Sequence, residues 1–180
     1  MKTNSDLFYP MNEFYGLSGV PLPQVTSVEG SEIPEPCRGL LVHSRDMTST
    51  LTEFYGQAML LHVLKRVKTE SVVAREIILV TERDGRNAVY AANKIYLDMF
   101  TPEARQSIFE ERIPFGGILA AQRIAYKSRP IAFFKVTADE TINRALGLTG
   151  EQTLYGRRNE LLNENGEPLA RVLEIVPPGR

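Results

Sequence analysis

Two dipeptides constrain this chain more than anything else in it: Asp84-Gly85 and Asn165-Gly166, each lying between β-compatible runs. Asn-Gly and Asp-Gly supply the φ > 0 conformations of tight hairpin turns, so each pair predicts two antiparallel strands. The first hairpin runs out over Val72 to Glu82 and back over Asn87 to Leu97. The second runs out from Tyr155 to Leu162 and back from Glu167 towards Pro178. The two are alike in detail, because Arg75-Glu76 precedes the first turn much as Arg157-Arg158 precedes the second. This reads as a weak internal duplication. Two hairpins with helices between them predict an α+β fold built on an antiparallel sheet.

Each hairpin carries one misplaced charge. Side chains two residues apart share a strand face. Arg75 therefore shares a row with Val73, Ile77 and Leu79, and Glu174 shares one with Ala170, Val172 and Val176. A charge in an apolar row must be paired, neutralised or exposed at the strand end. Arg75 and Glu174 could be each other's partner or two halves of a site.

The other elements are shorter. Thr50 with Glu53 has capping-box spacing and Gly56 is a stop signal, so a short helix lies between them. Met59 to Val67 fits strand or helix equally well. Thr101-Pro102-Glu103 opens a helix that reaches about Arg112. Ile113 to Ile118 breaks it, with Gly116-Gly117 as a turn, a hinge or a place of close backbone approach. Ile131 to Val136 is a strand. Thr137 with Glu140 begins a further helix that Gly147 ends. Residues 1–36, punctuated by Pro10, Pro21, Pro23, Pro34 and Pro36, read as an irregular arm whose aromatics dock onto a single domain spanning 37–180.

Composition narrows the function classes. A net charge of −1 speaks against a dedicated nucleic-acid binder. The lone Cys37 cannot form an internal disulfide and suits a reducing compartment. No apolar run reaches the length of a membrane span, and Asn12 and Glu13 interrupt any leader-like run, so a cytoplasmic protein is expected. There is no Gly-rich phosphate loop, zinc-type spacing or nucleophile elbow, so neither cofactor nor metal is expected. His43 and His62 read as non-catalytic, and Arg157-Arg158 as a solvated or structural pair.

Four segments resemble the chorismate lyase family. These are Asp46-Met47-Thr48, Arg75-Glu76-Ile77-Ile78-Leu79, Pro114-Phe115-Gly116, and Tyr155-Gly156-Arg157-Arg158 followed by a hairpin and Glu174. The sequence departs from the family at Gly117, where arginine is common, at Phe115, which replaces leucine, and by one extra residue between Gly166 and Glu174. A β-bulge or a shifted alignment would account for that extra residue.

The resemblance implies a cofactor-free lyase that eliminates pyruvate from chorismate to give 4-hydroxybenzoate, a step of aromatic-acid and ubiquinone biosynthesis. In that reading Arg75 holds a substrate carboxylate bidentately. Glu174 exchanges a proton, since burial in its apolar row would favour the neutral form. Backbone amides at Met47 and Phe115, with Gly116 beside them, complete the substrate site. The alternative is a non-catalytic module of the same fold that binds a small aromatic acid as an effector. A third reading is a lyase or hydrolase acting on a related enolpyruvyl or hydroxybenzoate compound.

Overall fold

A computed structural model describes residues 3–179; Met1, Lys2 and Arg180, part of the segments read above as the arm and the domain's end, lie outside it. The expected antiparallel sheet is present and has seven strands. They are β1 (Val25–Val28), β2 (Met59–Lys68), β3 (Val72–Thr81), β4 (Asn87–Tyr96), β5 (Lys127–Thr137), β6 (Thr153–Leu162) and β7 (Pro168–Val176), in the order β1-β5-β6-β7-β4-β3-β2. Every neighbouring pair is antiparallel. The two expected hairpins are β3–β4 and β6–β7. Their turn glycines have φ of 63° at Gly85 and 79° at Gly166. They meet at the centre of the sheet, where β4 pairs with β7.

Among the described residues, seven α-helices cover both faces of the sheet: α1 (Asn4–Leu7), α2 (Met11–Ser18), α3 (Cys37–Leu41), α4 (Met47–Tyr55), α5 (Pro102–Glu110), α6 (Phe115–Ala121) and α7 (Glu140–Leu146). Strand alternation divides the core accordingly. Ala74, Ile78, Tyr90 and Leu173 face α1, α2 and α7. Val73, Ile77, Ala91 and Val172 face α3 to α6. No described helix is long and apolar enough to cross a membrane.

Several local expectations are corrected. The stretch read as an irregular arm contains α1, α2 and β1, and β1 pairs with β5 as an edge strand. Its Leu7, Phe8, Met11, Phe14 and Tyr15 are core residues. Pro10 did not prevent a helix because it stands just ahead of α2, where its missing N–H is no loss. Asp46 rather than Thr50 caps α4, accepting from the Ser49 amide at 2.9 Å. Asp139 rather than Thr137 caps α7. Gly116-Gly117 is neither turn nor hinge: it lies in the first turn of α6.

The extra residue of the last strand is a bulge. Leu161 pairs with Ala170 and Leu162 with Pro168, so Leu169 is left over. The first hairpin has the same irregularity: Leu79 pairs with Val89 and Val80 with Asn87, leaving Ala88 over. Ala88 and Leu169 stand at the same distance past Gly85 and Gly166. The duplication thus extends to the bulges, and it makes Asn93 the counterpart of Glu174 and Arg75 the counterpart of Arg157.

Candidate functional site

The helix face of the two central hairpins encloses a small cavity of about 40 Å³. Its floor is Ile77, Ala91, Asn93, Asn159, Val172 and Glu174. Its roof is the start of α4 (Asp46, Met47, Thr48) and the start of α6 (Pro114, Phe115, Gly116). Four of the five residues singled out from the sequence, Met47, Phe115, Gly116 and Glu174, therefore touch one space. Arg75 does not line it directly. It stands behind Asn93, to whose Oδ1 its Nε donates at 3.2 Å.

The two helix starts can approach because Gly116 has no side chain. A Cβ there would collide with the Asp46 carboxylate and with Thr48. Asp46 is buried and fully engaged, accepting from the Ser49 amide and hydroxyl and from the Tyr126 hydroxyl. Burial and the neighbouring Asp46 push the Tyr126 phenol up to about 12. Pro114 gives α6 no side-chain cap. The Met47 and Phe115 side chains are buried in the core, with Phe115 edge-on to Phe100 at 5.8 Å.

Glu174 and Arg157 form a buried ion pair. They face each other across β6 and β7, and Arg157 Nε donates to Glu174 Oε2 at 2.5 Å. The rest of the Arg157 guanidinium gathers the chain ahead of α4, donating to the carbonyls of Leu41 (3.3 Å), His43 (3.2 Å) and Arg45 (3.1 Å). Gly156 lets β6 sit this low, since a Cβ there would strike the Phe134 ring and the Glu174 carbonyl. The lone carboxyl expected from the row of Ala170, Val172 and Val176 therefore has a partner of opposite charge. That partner is Arg157 and not Arg75.

His43 is part of the same knot. Its Nδ1 accepts from the Arg45 amide at 3.1 Å, so Nε2 carries the proton and donates to the Leu40 carbonyl at 2.7 Å. Burial first, and the adjacent Arg157 charge second, lower its basicity.

Arg75 is the exception. It is 0% exposed, yet neither terminal guanidinium nitrogen has a hydrogen-bond partner. Burial drives its guanidinium down to about 10, with Glu111 partly opposing this and Arg66 adding to it. Glu111 Oε2 pairs with Arg66 at 2.9 Å, while its buried Oε1 has no hydrogen-bond partner. A fork of unmatched donors in a dry interior is a strong anion receptor. The sequence reading of Arg157 as solvated or structural meets a buried, structural arginine, whereas Asn93, Asn159 and Tyr126 were missed. Asn93 had a legible signal, because it stands as far past Gly85 as Glu174 stands past Gly166.

No protein-family model matches the sequence, and no curated protein matches it. Solved structures do. The chain is similar to PhnF from Mycobacterium smegmatis, with 12% identity and a TM-score of 0.56, covering 73% of this chain and 63% of that one. Against the effector domain of PhnF the identity is 12% and the TM-score 0.57, covering 76% of this chain and 90% of that one. A gene product of Staphylococcus aureus subsp. aureus N315 matches at 8% identity and TM-score 0.56, over 78% of this chain and 98% of that one. The chain thus spans less than two thirds of PhnF but nearly all of its effector domain.

These matches show the fold: an α+β, chorismate lyase-like antiparallel sheet shared with the effector domain of PhnF. They speak against the expected lyase, because the match falls on the effector domain of PhnF. The Arg157–Glu174 pair engages one oxygen of the carboxyl to which the lyase reading assigned proton exchange.

Proposed function

We propose that this chain is a non-catalytic module that binds a small organic acid, most simply an aromatic carboxylate, between its two central hairpins. The observation that carries this reading is Arg75, a fully buried guanidinium whose two terminal nitrogens have no partner. An uncompensated buried donor costs about 1–3 kcal/mol, and more when charged. A ligand carboxylate that displaced Asn93, which separates Arg75 from the cavity, would satisfy both nitrogens together. The apolar floor of Ile77, Ala91 and Val172 suits a ring. Asn93 and Asn159 offer amides to a ring hydroxyl.

A cavity of about 40 Å³ holds a few waters rather than a benzoate. In this reading binding parts the starts of α4 and α6, which form its roof. The ligand's charge would thereby become a displacement of two helices, the kind of movement an effector module can transmit. The effector domain of PhnF has this fold, which supports the assignment to a sensing rather than a catalytic role.

Calorimetric titration with benzoate, 4-hydroxybenzoate and neutral benzamide tests the proposal. The two acids are expected to bind, the amide is not, and Arg75→Met is expected to weaken acid binding about tenfold or more while circular dichroism stays unchanged. Equal binding of benzamide, or undiminished acid binding by Arg75→Met, would overturn it.

A further inference from the structure

The opposite face of the sheet holds a second cavity, of about 350 Å³, between β2, β3 and the helices α2 and α7. Its position comes from a bulge. Val63 pairs with Ile77 and Lys65 with Glu76, so Leu64 is left over and Lys65 is turned to the face away from Arg75. The walls are mostly apolar or aromatic, including Phe14, Tyr15, Val20, Leu64 and Ile78.

The polar floor is Glu76, 2% exposed. Its Oε1 accepts from the Tyr90 hydroxyl at 2.6 Å, and no hydrogen bond reaches its Oε2. The nearest cation to Oε2 is Lys65 Nζ at 3.2 Å, which also donates to Ser18 Oγ at 2.7 Å. The Lys65 side chain is 45% exposed, so withdrawing it into water is cheap.

We propose that this cavity binds a small organic cation, a primary ammonium on an apolar body, and that Lys65 is its tethered competitor. The Lys65 ammonium marks the place, bridging Glu76 and Ser18 at the mouth. A free ammonium entering the cavity would displace Lys65 from Glu76 Oε2 and extend its body between Phe14, Tyr15 and Ile78. Aromatic rings beside a carboxylate are a favourable seat for an organic cation. Glu76 is the only acidic wall residue among the described residues, and Arg144 lies on the rim. A monocation therefore fits better than a metal ion, which would need several oxygen ligands. The volume is in the range of small-molecule sites. This site does not depend on the acid site, from which the whole sheet separates it.

Phenethylammonium and uncharged 2-phenylethanol distinguish the possibilities, followed by calorimetry and by the amide resonances of Ile78 and Ala145. Phenethylammonium is expected to bind the full chain weakly and Lys65→Met about tenfold more tightly, since one charge-assisted contact then has no rival. Glu76→Gln is expected to lose binding, and 2-phenylethanol to show none. Should Glu76→Gln fail to fold, Lys65→Met decides: it is expected to melt higher with phenethylammonium than without. No tightening in Lys65→Met, equal binding of the alcohol, or shifts confined to the Arg75 face would each overturn the assignment.

Discussion

Arg75 and Arg157 occupy matching places in two matching hairpins, and both are fully buried. Each points its Nε at the residue opposite it on the return strand, Asn93 for Arg75 and Glu174 for Arg157. There the likeness ends. Arg157 meets a carboxylate and three carbonyls, and its charge and donors are consumed in fixing the chain ahead of α4. Arg75 meets one neutral amide and keeps two nitrogens unmatched. Burial of a charge is common to both and so identifies neither as functional. What separates the structural arginine from the receptor is the count of donors already satisfied.

The largest effect expected from breaking the comparison is in stability. Arg157→Met leaves Glu174 buried without its partner, which for an ion pair of this kind costs about 3–5 kcal/mol. Urea unfolding should show this, and Glu174→Leu in the same chain should restore part of the loss, because an apolar pair needs no charge balance. The counterpart, Arg75→Met, should behave in the opposite way. It forfeits one 3.2 Å contact to Asn93 and removes a buried guanidinium whose terminal nitrogens have no hydrogen-bond partner, so stability should change by less than about 1 kcal/mol or rise. Its cost should fall on benzoate affinity, reduced about tenfold or more. Equal destabilisation by the two substitutions would erase the distinction between them.

The residue before each arginine sharpens the contrast. Ala74 precedes Arg75 and carries a Cβ without difficulty, whereas Gly156 precedes Arg157 under the Phe134 ring. Gly156→Ala should cost about 1–3 kcal/mol as an overpacked core substitution. Gly117→Ala offers a control. Its nearest neighbour is Ile113 at 3.9 Å, so the added methyl should be tolerated and should stabilise α6 by about 0.5–1 kcal/mol. Thermal unfolding of the three proteins orders them: Gly117→Ala highest, the parent next, Gly156→Ala lowest.

Much of this fold was legible because it is written in turns. Asp84-Gly85 and Asn165-Gly166 mark the hairpins, and the alternation around Arg75 and Glu174 fixes which face each side chain takes. The role of Glu174 was not legible. Its row holds only apolar neighbours along its own strand, and the arginine that neutralises it comes from across β6. Strand-local pattern cannot distinguish a lone buried charge from one paired laterally. The N-terminal helices were hidden for another reason. Proline spacing looks like disruption in sequence, yet Pro10 sits where a helix begins, and the short α2 is held by what Met11, Phe14 and Tyr15 bury rather than by its own propensity. The roof of the cavity was partly legible: Met47, Phe115 and Gly116 were named and close backbone approach was one reading of the glycine pair, but that the approach is to the start of α4 needs the two helices side by side.

The smallest expected effect is a pH dependence that attaches to the Arg157 side alone. His43 keeps its proton on Nε2 and presents Nδ1 to two donors, the Arg45 amide and Arg157. A second proton would set donor against donor, so the folded chain binds it less readily than the unfolded chain does. With the folded-state basicity lowered, the stabilising contribution of neutral His43 is complete above the unfolded value near 6.5 and is lost as pH falls from there through the folded value. Urea midpoints measured between about pH 8 and pH 5 should therefore decline on the acid side, and His43→Asn, which keeps an acceptor but cannot titrate, should flatten that decline. The Arg75 side has no comparable group: its guanidinium, though driven down to about 10, stays charged throughout this range. An acid-side slope unchanged by His43→Asn would move the proton uptake elsewhere in the molecule and remove the histidine from the Arg157 knot.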